Sequence, residues 1–216
     1  MTLQYQIVPV TVFVQNSTIL WCDVTNHAAV VDPGGDLDRI ESFIRSHQLF
    51  YKKILLTHGH VDHAGSAEEL AKRHDIPIEG PNKQDSFWLD QLGEQARLFN
   101  FPHKVPDKIS MAIDWLHHKD QVRLGHELLE VLHCPGHTPG HIVFYSCKAQ
   151  LAIVGDVLFK NSVGRSDLPQ GDGKQLLKSI QNHLFVLPDV TQVIPGHGST
   201  TTIGDEKHHN PYFAKP

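Results

Sequence analysis

Apolar positions in this chain recur in short runs. Residues 7–14 and 18–24 are β-branched and aromatic, as strands are, and Gln15-Asn16-Ser17 between them reads as a turn. Residues 28–31 form another apolar run, stopped by Asp32-Pro33-Gly34-Gly35. Leu37, Ile40 and Ile44 then repeat at helical spacing, with Asp36 as the N-cap. Residues 53–57 predict a buried strand and residues 66–74 a helix. From 81 to 108 the pattern loosens. Trp88, Leu89, Leu92, Leu98, Phe99 and Phe101 surround one helix that either packs on the core or forms a lid beside a site. Strands return at 121–124 and 127–133, flanking a Gly125-His126 turn, and again at 142–146 and 151–154. A helix over 174–184 and a strand over 190–194 complete the pattern. Two strand-rich halves, each with helix and with no linker between them, predict an α/β layer structure and one domain over 1–216.

Composition narrows the partners. Hydrophobic residues make up 40% and charged residues 20% of 216, enough for a packed core. Lys plus Arg number 19 against 24 Asp plus Glu, a formal net charge of −5. That field does not gather phosphate, so nucleic acid is not expected, and an anionic substrate would need a local cation. No apolar run approaches the roughly 18 residues of a membrane span. The first residues lack the basic segment and cleavage site of an export signal. Cys22, Cys134 and Cys147 are odd in number and scattered, which is no disulfide framework. The expectation is a cytoplasmic protein acting on a small molecule. Histidine is the outlier at 17 residues, and it is the commonest metal ligand.

Those histidines are not spread evenly. In Thr57-His58-Gly59-His60-Val61-Asp62-His63-Ala64-Gly65, four candidate ligands follow a predicted strand and precede a predicted helix. His58 and His60 can point at one ion, and Asp62 and His63 can reach a second. His137, Asp156 and His197 also follow apolar runs and are flanked by Gly or Pro, which exposes a side chain at a sheet edge. Asp32 either orients a ligand histidine or merely shapes its turn. Arg165 either holds its own loop through Asp167 or meets an anionic part of the substrate. His133 and His141 are expected to pack, Cys134 to fill a small space, and the pairs 117–118 and 208–209 to face solvent. Tyr212 and Lys215 are assigned to the tail.

These motifs, in this order, resemble the metallo-β-lactamase superfamily over essentially the whole chain. The resemblance implies an αββα sandwich, two mixed sheets with helices on the outer faces, and two divalent metal ions at one edge. His58, His60 and His137 would hold one ion and Asp62, His63 and His197 the other, with Asp156 between them. Zinc is implied first, and iron or manganese suits the same donors. Such a pair would form a bridging hydroxide near neutral pH and polarise a carbonyl, with Asp62 as catalytic base or orienting group. The stretch GDVLFKNSVGRSDLP is similar to short-form glyoxalase II, the hydroxyacylglutathione hydrolases. That implies cleavage of S-lactoylglutathione and other S-(2-hydroxyacyl)glutathiones to glutathione and D-lactate, a step of methylglyoxal detoxification. Longer members add a C-terminal helical domain that binds glutathione. They carry Lys at the position of Arg165 and Tyr at that of Asp167. The chain ends about nineteen residues past His197, so that domain is not expected and glutathione must be held otherwise. GRSDLP also resembles loops of persulfide dioxygenases, and a mononuclear iron glutathione-persulfide dioxygenase is the alternative.

Overall fold

The computed structural model describes residues 2–213. The first sheet has the order β1 (Leu3–Val10), β2 (Gln15–Cys22), β3 (His27–Val31), β4 (Phe50–Leu55), β5 (Ile78–Glu79), β6 (Ile113–Asp114). Strands β1 to β3 are antiparallel, and β3 to β6 run parallel. The second half supplies β7 (Gln121–Leu124), β8 (Glu127–His133), β9 (Ile142–Ser146), β10 (Leu151–Gly155), a small hairpin β11 (Leu158–Phe159) and β12 (Ser162–Val163), then β13 (Gln192–Pro195) and β14 (Thr201–Thr202). Its main sheet is ordered β14-β13-β10-β9-β8-β7, with only β10 and β13 parallel.

The alternation of side chains along each strand accounts for the layers. Ile19, Ala28, Val30 and Ile54 face helices α1 (Leu37–Ser46), α2 (Val61–Ala64) and α3 (Ala67–His74). Their neighbours Leu20, Ala29, Val31 and Leu55 face the opposite way and meet Ile142, Phe144, Leu151 and Ile153 of the second sheet. Val143, Tyr145, Ala152 and Val154, one step out of phase, pack under the later helices α6 (Gly173–Ser179) and α7 (Ile203–His209). Between α3 and these lie α4 (Ser86–Leu89) and α5 (Leu92–Leu98). The result is a helix–sheet–sheet–helix sandwich, as the sequence resemblance implied. Among the described residues no helix is long and apolar enough to cross a membrane.

The first hairpin corrects the sequence reading. Its turn lies at residues 11–14, and Gln15-Asn16-Ser17 belongs to β2. These polar residues are buried in a strand because each side chain or backbone has a partner across the fold. Asn16 Nδ2 donates to Pro195 O (3.0 Å) and Gly198 O (2.9 Å), Ser17 Oγ donates to Val31 O (3.0 Å), and Gln15 bridges to His197. Asp36 occupies the helix-cap position without capping. Its backbone is left-handed (φ 47°), and its carboxylate accepts from Thr11 N (2.8 Å). The predicted helix over 174–184 is α6 continued by a π-helical turn at Ile180–Leu184.

Candidate metal centre

Every site loop leaves the carboxyl end of a strand. Asp32 follows β3, His58 to His63 follow β4, residues 134–141 follow β8, Asp156 follows β10 and His197 follows β13. The backbone bond from Ile142 N to Thr57 O (2.9 Å) sews the first sheet to the second beside the site. Strand ends on a rigid sandwich therefore set where each ligand-bearing loop begins.

The loops bring all seven sequence-predicted ligands together. His60 Nδ1 lies 3.1 Å from His58 Nε2 and 3.0 Å from His137 Nε2. Asp62 Oδ2 lies 3.2 Å from His197 Nε2 and 3.7 Å from His63 Nε2. His58, His60 and His137, and separately Asp62, His63 and His197, each present donor atoms within 4.8 Å of one another. Asp156 stands between the sets. Its Oδ2 is 3.6 Å from His137 Nε2 and 3.7 Å from His197 Nε2, and its Oδ1 is 3.4 Å from His63 Nε2.

The far sides of the rings explain why these nitrogens converge. His137 Nδ1 donates to Arg165 O (2.7 Å), His197 Nδ1 to Phe13 O (3.1 Å) and His63 Nδ1 to Asp32 Oδ2 (2.9 Å). His58 Nδ1 meets Thr57 Oγ1 (3.0 Å), whose own hydroxyl donates to Asp32 Oδ2 (2.6 Å). An oxygen on each Nδ1–H fixes the ring and turns Nε2 inward, where it is a ligand atom once it carries no proton. Asp32 thus serves both His58 and His63, and its Oδ1 also accepts from Thr57 N (2.8 Å). His63 Nε2 and Asp156 Oδ1 are buried and make no hydrogen bond. Buried polar atoms without partners are costly, and a cation among these donors removes that cost. The His and carboxylate set fits a transition metal.

Electrostatics divide the two sets. Burial, followed by the neighbouring histidines His63 and His141, holds His58 well below the usual imidazole range, and burial beside His137 takes His60 down to about 3. Both are neutral at physiological pH. His63 is opposite in sign. Burial disfavours its charge, but the carboxylates of Asp156 and Asp62 outweigh this and hold it well above its ordinary value. Burial alone would raise Asp156, yet His63 holds it well below the carboxylate range. The metal-free protein therefore carries a proton on His63 at neutral pH, and a cation there must displace it. Metal uptake at pH 7 is expected to release protons, from His63 and also from His197, which Asp62 and Asp156 raise against the cost of burial, and to weaken as pH falls, because the competing protons are then held more fully. Calorimetric titration in two buffers of different ionisation enthalpy measures this, and zero release would contradict it.

Gly196 is required by space. A Cβ there would stand 2.1 Å from Asp156 Oδ1 and 2.6 Å from His63 Cε1. Gly196→Ala must push the Asp156 carboxylate aside. It is expected to weaken metal binding at least tenfold, read by competition with a chelating dye.

Two residues of this site escaped the sequence reading, and both come from the irregular 81–108 stretch. Asp85, fully buried, accepts from Gly59 N (2.9 Å) and Thr138 Oγ1 (2.8 Å) at Oδ2, and from Gly140 N (2.5 Å) at Oδ1. It brackets the His58–His60 loop to the His137 loop. Burial pushes its carboxyl up to about 6 against the pull of those bonds. Gln95 on α5 accepts from Val61 N (3.0 Å) and donates to Gly59 O (3.2 Å) and Trp88 O (2.8 Å). The stretch is both core and site wall: Leu89 and Leu92 are in the core, and Phe99 faces the cavity.

The remaining candidates are placed as follows. Arg165 is exposed, and its Nε and Nη2 donate to Asp167 Oδ1 (2.8 Å) and Oδ2 (2.9 Å). His141 is buried, stacked on His58, and accepts from Asp156 N (3.1 Å). His133 donates to Pro139 O (2.9 Å). Cys134 and Cys22 are buried thiols and Cys147 is exposed. Tyr212 is exposed, and Lys215 lies outside the described residues.

Residues 10–197 match the profile of the metallo-beta-lactamase superfamily. The hydroxyacylglutathione hydrolase GloC of Haemophilus influenzae is 42% identical over 98% of this chain and 98% of its own length. The crystal structure of BLEG-1 B3 metallo-beta-lactamase superposes with a TM-score of 0.88 at 33% identity, covering 98% of this chain and all of that one. TTHA1623 in a di-iron-bound form superposes with a TM-score of 0.86 at 32% identity over 96% and 99% of the two chains.

Proposed function

Because the chain belongs to the metallo-beta-lactamase superfamily and is thus a metallo-hydrolase by family, we propose that it hydrolyses S-(2-hydroxyacyl)glutathione thioesters, S-lactoylglutathione among them, in the cytoplasm. The products are glutathione and the hydroxy acid, D-lactate in the lactoyl case, a step in disposing of methylglyoxal. The observation that carries this reading is Asp156 standing between two donor sets on the floor of one cavity.

His58, His60 and His137 would hold one ion, Asp62, His63 and His197 the other, and Asp156 both. Zinc is the first choice, and iron is the metal in the relative TTHA1623. Divalent ions, when bound, ionise water near neutral pH and polarise a carbonyl oxygen. The chain's own groups do the rest. Asp62 lines the cavity, and its carboxylate can accept a proton from the attacking water at Oδ2. Asp32, Arg165 O and Phe13 O keep the imidazoles oriented through the reaction. Val61, Phe99 and Leu168 exclude bulk water from the rim. A thiol of ordinary pKa near 8.5 leaves as thiolate without a protein acid.

Metal content and thioester cleavage, measured on one preparation, test the proposal. About two ions per chain and ready hydrolysis of S-lactoylglutathione are expected. One iron per chain with oxygen uptake on glutathione persulfide would replace the reading by the dioxygenase alternative.

A further inference from the structure

A second cleft, of about 540 Å³, opens where the two sheets meet toward the amino ends of their strands. That volume is in the range of sites that hold small molecules. The first sheet lines the cleft with His27, the first residue of β3, with Lys52 and Lys53 of β4 and with Glu79 of β5. The second sheet lines it with Arg123 of β7 and His126 of the turn before β8. The five steps of chain from His27 to Asp32, about 16 Å of extended backbone, separate it from the metal ligands, which follow the carboxyl ends of the strands.

Consecutive residues of a strand ordinarily face opposite sides. Lys52 and Lys53 nevertheless both line the cleft, because the β3–β4 register shifts there. Ala28 pairs with Tyr51 and Ala29 with Lys53, so Lys52 is the extra residue of a bulge, a device that re-aims a side chain. Lys53 is held by Glu79, with Nζ 2.5 Å from Oε1. Among the described residues Lys52 and Arg123 have no ion-pair partner. Two lysines and an arginine thus face one carboxylate, in a chain whose 24 Asp and Glu outnumber its 19 Lys and Arg. His27 registers that excess: burial, then Lys52 and His126, hold its imidazole below the ordinary range. Cations crowded without counter-charge repel one another, and an anion among them turns that repulsion into attraction.

We propose that this cleft binds a phosphorylated small molecule, with Lys52 and Arg123 on the phosphoryl oxygens. A phosphoryl dianion matches two free cations in charge and offers oxygens to the guanidinium fork and the ammonium together, whereas a carboxylate neutralises one of them. Inorganic phosphate and a nucleotide share this chemistry, and the test distinguishes them.

Inorganic phosphate, adenosine monophosphate and acetate are titrated separately into the metal-loaded protein, with calorimetry for affinity and amide chemical shifts of Gly125 and His126 for location. Both phosphoryl ligands are expected to bind at least tenfold tighter than acetate and to shift those amides. Equal affinities identify the phosphoryl group alone as the ligand, and a tenfold advantage for adenosine monophosphate identifies a nucleotide. The double variant Lys52→Gln, Arg123→Gln is expected to weaken both at least tenfold, with bound metal and melting temperature not lowered. Glu79→Gln frees Lys53 and is expected to tighten both about threefold or more, a gain that misfolding cannot imitate. Phosphate binding that the double variant leaves intact would belong to the metal centre and overturn the proposal. So would acetate binding as tightly as phosphate, or a single-stranded oligonucleotide displacing adenosine monophosphate at lower concentration than phosphate does, which would make the cleft a nucleic-acid contact.

Discussion

Asp156→Ala is expected to lower S-lactoylglutathione hydrolysis by about a thousandfold or more and to reduce bound metal from about two ions per chain to one or none. Among the described residues Asp156 is the single carboxylate within 4 Å of nitrogens from both donor sets, so no neighbour can take its place. The fold should survive, because Asp156 contributes its backbone N–H, not its side chain, to the bond with His141. In the metal-free variant His63 loses its strongest attractive neighbour, and its pKa falls back toward the ordinary value. Metal analysis, steady-state kinetics and circular dichroism on the same sample decide the matter. Retained metal with an unchanged rate would remove Asp156 from the centre.

Asp85→Ala is expected to do comparable damage from outside the ligand set. It strands the buried donors Gly59 N, Thr138 Oγ1 and Gly140 N. Each stranded group costs about 1–3 kcal/mol, so the loss is about 3 kcal/mol or more. At this chain length that lowers Tm by about 6–12 °C. The bracket also fixes the spacing between His60 and His137, so metal affinity should fall tenfold to hundredfold. Asp85→Asn separates the effects, since it keeps the volume but turns a donor toward a donor. It should melt between wild type and Asp85→Ala and still show the weakened metal binding. A variant with wild-type affinity for metal would reduce Asp85 to packing.

The candidate ligands were legible because His58, His60, Asp62 and His63 crowd one short motif after an apolar run, and His137, Asp156 and His197 each follow an apolar run and are flanked by Gly or Pro. The layers were legible because neighbours such as Ile19 and Leu20 must face opposite sides of a sheet. Asp85 and Gln95 had no such signature. They act by bonding backbone amides 26 to 55 positions away, and no local spacing announces that. Gln15-Asn16-Ser17 misled for a related reason. Three polar residues in a row signal a turn, unless distant carbonyls satisfy them inside a sheet, as Pro195 and Val31 do here. The positive φ of Thr11 and Val14 likewise runs against residue preference, so the true turn looked like strand.

His58, His60 and His63 hang from one sheet, and His137, Asp156 and His197 from the other. Any ion they share is a reversible staple between the two halves of the polypeptide. Its binding constant enters the global folding equilibrium rather than a local one. Free metal at a hundred times its dissociation constant adds about 2.7 kcal/mol to the whole molecule. Chelation of a bound ion is therefore expected to lower the melting point of both sheets together.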